Sequence, residues 1–128
     1  MRALDCDPEA IRVARANARA NGVHKMLRIV RGDVAKLPLH AAKPYDLVCA
    51  NLNSTLLLAA GRRIIAQLNP CGTLVLAGIL KSEFSRVQKV FAKFGLKLAV
   101  KKTENEWCSG SFYYARENSV GKFECPAP

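Results

Sequence analysis

Three polar side chains stand where apolar runs stop. Asp5 follows Arg2-Ala3-Leu4, Asp33 follows Ile29-Val30-Arg31-Gly32, and Asn51 follows Leu47-Val48-Cys49-Ala50. One carboxylate can accept both hydroxyl protons of a ribose, and another can accept from an exocyclic amine. Each such charge-assisted bond is worth roughly 1.5–3 kcal/mol once desolvated. Two carboxylates and an amide together therefore suit a nucleoside-like ligand. Taken singly, an aspartate at a strand end more often caps a helix or stabilises a turn. His24 and His40 fall in a turn and a loop and read as surface residues. Cys6, Cys49, Cys71, Cys108 and Cys125 are odd in number and form no C-x-x-C pair, so no metal site or disulfide framework is signalled. Cys6 reads as packing beside Asp5, and Cys49, within an apolar run, as a buried thiol in a reducing compartment.

The elements that position these residues follow from periodicity and punctuation. A short strand ends at Asp5. A helix then starts with Asp7 as cap and Pro8 in the first turn, runs to about Ala20, and closes at Asn21-Gly22. Residues 26–31 form a second strand, and residues 34–44 a loop. Residues 45–50 form a third strand, apolar on both faces near its end, as a central parallel strand should be. Residues 54–68 are helical, and Asn69-Pro70-Cys71-Gly72 turns the chain into a fourth strand over 73–80. Ser82 is expected to cap a helix with Phe84, Val87, Phe91 and Phe94 at core spacing, ended by Gly95. Residues 96–101 and 107–115 form an antiparallel hairpin. Helices alternating with apolar strands argue an α/β fold with a mostly parallel sheet. Ligands bind such sheets at the carboxyl edge, where Asp5, Asp33 and Asn51 are expected to converge.

At this level of detail the chain resembles the PrmA family of ribosomal-protein methyltransferases. The residues carrying the resemblance are Ala3-Leu4-Asp5-Cys6-Asp7-Pro8-Glu9-Ala10, Asn21-Gly22-Val23, Gly32-Asp33-Val34, Tyr45-Asp46-Leu47-Val48 and Ala50-Asn51-Leu52. Leu68-Asn69-Pro70-Cys71-Gly72, Leu76-Ala77-Gly78-Ile79-Leu80 and Glu106-Trp107 follow in the family's order. The resemblance implies a Rossmann-like class I methyltransferase sheet, mostly parallel with a C-terminal antiparallel hairpin, that uses S-adenosylmethionine. It implies that Asp5 binds the ribose hydroxyls, Asp33 the adenine amino group, and the Val34 amide lies near the ring. Asn51 is implied beside the transferred methyl, orienting the accepting amine. The resemblance implies as acceptor a lysine or amino-terminal group of a ribosomal protein.

Composition frames the partners. The 128 residues are half hydrophobic, enough for one core, with no apolar run long enough to cross a membrane and no signal-like apolar start. A cytoplasmic protein is expected. Twenty basic against ten acidic residues give a formal charge of +10, which favours an anionic partner such as RNA or the ribosome. Two other readings follow: methylation of RNA or a small molecule on the same fold, and a non-catalytic basic module that binds RNA or a partner subunit.

By the resemblance, residues 1–117 are a methyltransferase domain without its first strand and glycine-rich loop, and residues 118–128 a frayed tail. The first strand stands in the family between those ending at Asp5 and Asn51. Its loss removes about 8–10 ladder bonds, or about 4–15 kcal/mol at roughly 0.5–1.5 kcal/mol each. Isothermal titration of the isolated chain with S-adenosylmethionine should accordingly show weak binding or none, and micromolar affinity would refute this expectation.

Overall fold

The computed structural model describes residues 1–114, which form two compact units, residues 1–38 and a second from Leu39 onward. The expected tail over 118–128 lies outside the described residues.

The first unit is one strand-helix-strand crossover. Strand β1 (Arg2–Asp5) and strand β2 (Arg28–Arg31) pair in parallel, from Arg2 beside Arg28 to Asp5 beside Arg31. Parallel neighbours cannot be joined by a tight turn, and helix α1 (Pro8–Ala20) makes the crossover. Its ends are those the residues dictate. Asp7 Oδ1 accepts the Glu9 N–H at 2.9 Å, Pro8 opens the first turn, and Gly22 takes a left-handed φ of 69° beyond the last. Ile11 and Ala18 are its buried face. The ladder opens at Arg28 rather than Met26, leaving Met26 exposed. A single 3-10 turn (Val34–Lys36) follows β2.

The second unit is a four-stranded mixed sheet with two helices. Its strands are β3 (Tyr45–Asn51), β4 (Leu68–Leu80), β5 (Leu96–Glu104) and β6 (Trp107–Tyr114), in the order β3-β4-β6-β5. β3 and β4 are parallel across helix α2 (Ser54–Ile65). Helix α3 (Phe84–Lys93) leads into the expected hairpin, which folds back so that β6 lies antiparallel between β4 and β5.

Four local expectations are corrected. The Cys49 thiol is exposed rather than buried, because β3 is an edge strand among the described residues, as expected where the first strand is absent, and Leu47 is 58% exposed on it. Residues 69–72 do bend the chain, but inside β4: Leu68 already pairs with Tyr45, and regular pairing resumes at Thr73 beside Leu47. Helix α2 stops at Ile65, short of the expected Leu68, because Leu68 joins that ladder. Ser82 does not cap α3; Glu83 occupies the cap with no side-chain bond, and its carboxylate instead accepts from Ser54 Oγ at 2.7 Å.

The core of this unit is where the periodicity puts it. Phe84, Val87 and Phe91 of α3 are buried with Leu57 and Ile64 of α2, Leu74, Leu76 and Ile79 of β4, and Phe112 of β6. The Phe112 ring centre lies 6.5 Å from that of Phe84 and 6.1 Å from that of Phe91, so β6 is locked to α3 through aromatic contacts. Replacing this fully buried ring, Phe112→Ala, should destabilise the unit by about 3–5 kcal/mol in urea denaturation monitored by circular dichroism.

Candidate functional site

The polar residues at the strand ends divide their bonding capacity between the fold and whatever lies beyond it. Asp5 ends β1, and its Oδ1 accepts the Asp7 N–H at 2.9 Å, turning the chain toward α1. Immediately beyond β2, the Gly32 N–H donates to the Asp5 carbonyl at 2.8 Å, carrying the backbone pairing one residue past the ladder. Asp33 then caps the 3-10 turn, its Oδ1 accepting the Ala35 N–H at 2.8 Å. Asp5 and Asp33 are thus at the same, carboxyl end of the β1–β2 pair. Each has one carboxylate oxygen committed to its own turn, and the second oxygen of each has no partner among the described residues. The bland function of a strand-end aspartate is real here, and it leaves half of each carboxylate available. Val34 is the first residue of the turn, so its N–H has no acceptor within that turn.

In the second unit, Asn51 is the last residue of β3, beside Ala77 in the ladder. The Leu52 N–H donates to the Ala77 carbonyl at 3.1 Å and ends the pairing. Two residues on, Asn53 caps α2, its Oδ1 accepting the Leu56 N–H at 2.9 Å. The two asparagines of Asn51-Leu52-Asn53 therefore differ in kind. Asn53 is a helix cap, whereas the exposed Asn51 side chain makes no hydrogen bond among the described residues.

One residue against Asn51 is not marked by its own chemistry. Gly78, one residue past Ala77 on β4, has a φ of +75°, and a Cβ built on it would lie 2.6 Å from Asn51 Oδ1. The available signal was a lone glycine inside the apolar run Leu74-Val75-Leu76-Ala77-Gly78-Ile79-Leu80, which marks a bulge or a close approach.

A model of the family described as ribosomal protein L11 methyltransferase (PrmA) matches residues 1–113. The chain belongs to that family. Among curated L11 methyltransferases, that of Thermus thermophilus is 36% identical over 105 residues, covering 81% of this chain and 39% of the relative. That of Dechloromonas aromatica is 33% identical over 104 residues, covering 81% and 32%. The chain thus spans about a third of the length of these relatives. The fold is that of a crystallised ribosomal protein L11 methylase from Lactobacillus delbrueckii subsp. bulgaricus, with a TM-score of 0.80 at 19% identity over 90% of this chain and 57% of that one. It is also that of a glycopeptide N-methyltransferase crystallised with S-adenosyl-L-methionine, with a TM-score of 0.68 at 10% identity over 90% of this chain and 72% of that one. This is a Rossmann-like methyltransferase fold.

For a member of the L11 methyltransferase family, the donor and acceptor inventory fits an adenosine-bearing cofactor. Ribose hydroxyls and an adenine amine are donors, and the uncommitted oxygens of Asp5 and Asp33 are acceptors. The capping bond of Asp33 can be tested apart from its second oxygen. Asp33→Asn keeps an oxygen for the Ala35 N–H, whereas Asp33→Ala removes it. The alanine variant should lose roughly 0.5–2 kcal/mol of stability and the asparagine variant little, as measured by denaturant titration.

Proposed function

We propose that this chain forms part of an S-adenosylmethionine-dependent enzyme that methylates amino groups of a ribosomal protein; its relatives are named as methyltransferases of ribosomal protein L11. The observation that carries the reading is the uncommitted polar capacity at the strand ends, in a chain that the family model matches over residues 1–113. Asp5 accepts from the ribose hydroxyls, Asp33 accepts from the adenine amine, and the Val34 N–H faces the ring. Asn51 stands at the methyl-bearing end and orients the incoming amine. Residues 1–117 serve as one methyltransferase domain, in the cytoplasm.

The cofactor, when bound, supplies an electrophilic methyl on a sulfonium sulfur. What the protein contributes is alignment. In-line displacement by a neutral amine would form an N–CH3 bond as the S–CH3 bond breaks and a neutral thioether leaves. Holding the two reactants in register can supply most of the acceleration without a strong catalytic acid. The carboxylates fix the nucleoside end, and the amide of Asn51 can accept from the amine N–H while leaving its lone pair directed at the methyl.

A specific surface favours RNA as an additional partner. In the first unit, Arg15, Arg19, His24 and Arg28 line a concavity of about 350 Å³, together with Ala18, Leu27 and Ile29. No carboxylate lines it, and the Arg15 guanidinium donates to the Ile29 carbonyl at 3.3 Å, which leaves its charge uncompensated. Such a surface attracts phosphodiesters.

The decisive experiment uses the protein expressed from its complete reading frame with S-adenosylmethionine carrying a labelled methyl. Label should enter ribosomal protein L11 and not ribosomal RNA. Asp5→Asn and Asp33→Asn, which retain the local turn bonds, should each weaken cofactor binding about 10- to 100-fold, corresponding to roughly 1.5–3 kcal/mol. Label confined to RNA would reject the protein-amine reading.

A further inference from the structure

We infer that Gly78 is a positioning residue for the proposed methyl transfer: its left-handed bulge in β4 makes the space in which the Asn51 amide rests without a hydrogen bond among the described residues. This rests on the reading of Asn51 given above.

The geometry is specific. Between Leu76, which pairs with Gly110, and Ile79, which pairs with Cys108, β4 holds two residues where β6 holds only Ser109. Ala77 and Gly78 form this bulge, and Gly78 takes a φ of +75°, a conformation that a Cβ disfavours. On the other side of β4, the same two residues meet the end of β3. The Ala77 carbonyl accepts the Leu52 N–H at 3.1 Å, and the bare Cα of Gly78 faces Asn51 and Leu52. A Cβ there would lie 2.6 Å from Asn51 Oδ1, 3.1 Å from the Leu52 carbonyl oxygen and 3.3 Å from the Leu52 nitrogen. The shortest of these distances is to the tip of a side chain, so the asparagine amide is what an added methyl would displace first.

Two ways exist to hold a polar side chain still. Hydrogen bonds do it by using the groups a ligand would need, and shape does it without using them. Asn51 has no side-chain hydrogen bond among the described residues, in contrast to Asn53, whose oxygen caps α2. Contact with the glycine therefore restricts the Asn51 amide while its N–H groups and its carbonyl oxygen stay open to substrate. Preorganisation of this kind matters most where the chemistry depends on alignment, since small displacements cost large factors in rate.

The test is a double-mutant cycle of Gly78→Ala and Asn51→Ala in the protein expressed from its complete reading frame. Side-chain amide resonances of Asn51, thermal midpoints, and kcat and KM for methyl transfer are measured. Gly78→Ala should shift the Asn51 amide resonances and lower kcat at least tenfold, with a smaller change in KM. In the Asn51→Ala background, the same substitution should produce little further loss of kcat and a smaller drop in midpoint, because the atom it collides with is gone. Unmoved Asn51 resonances, or the full effect persisting without the asparagine, would overturn the inference. Should Gly78→Ala fail to fold, Gly78→Asn carries a Cβ and tolerates positive φ better, and the same criteria apply. If the unsubstituted protein transfers no methyl, the functional reading fails, while the resonances and midpoints still decide whether Gly78 places Asn51.

Discussion

Parallel pairing is the constraint on which the rest depends. β1 with β2 and β3 with β4 run in parallel, and each pair must be joined by a segment long enough to return the chain to its starting end. Helices α1 and α2 do this, so the residues leaving β1, β2 and β3 are those that open a helix or a turn. Helix and turn starts need side-chain acceptors for backbone N–H groups. Asp5, Asp7, Asp33 and Asn53 provide them. The same requirement concentrates carboxylates and amides at the strand ends, where open α/β sheets bind ligands.

This double duty explains why single residues in such a chain are ambiguous evidence. Asp33 caps a turn, as the simplest reading of an aspartate after Gly32 holds, and it also has an oxygen to offer. A carboxylate has more acceptor sites than one N–H can use. Only the distribution of hydrogen bonds separates a residue whose side-chain oxygen is committed to the fold, such as Asn53, from one with no side-chain bond among the described residues, such as Asn51. The distinction lies two residues apart in Asn51-Leu52-Asn53 and is invisible in residue type.

Strand β3 shows the other side of the same logic. Its composition is that of a strand covered on both sides, yet it has one neighbour among the described residues, and Leu47 and Cys49 face outward. The opposite flank of the sheet reads more simply. Lys97, Lys101 and Lys102 keep β5 polar, and charge of this kind protects a sheet edge from pairing with other chains. β6, with Cys108, Gly110 and Phe112 buried, sits between β5 and β4 and carries the aromatic contact to α3.

By itself, the sequence determined the order and nature of the elements, the ends of α1 at Asp7 and Gly22, the end of α3 at Gly95, and the core stripe of Phe84, Val87 and Phe91. These are set by local preferences and by helical or strand periodicity, which a linear chain displays directly. It also carried the family motifs around Asp5, Asp33 and Asn51. Tertiary structure alone decided that β6 lies between β4 and β5, that Leu68 pairs before the 69–72 bend, and that the Cys49 thiol is exposed. It alone decided that Gly78 lies against Asn51, 27 positions earlier in the chain. Those facts depend on register between segments distant in sequence, and register is fixed by the packing of whole faces rather than by any residue's own preference.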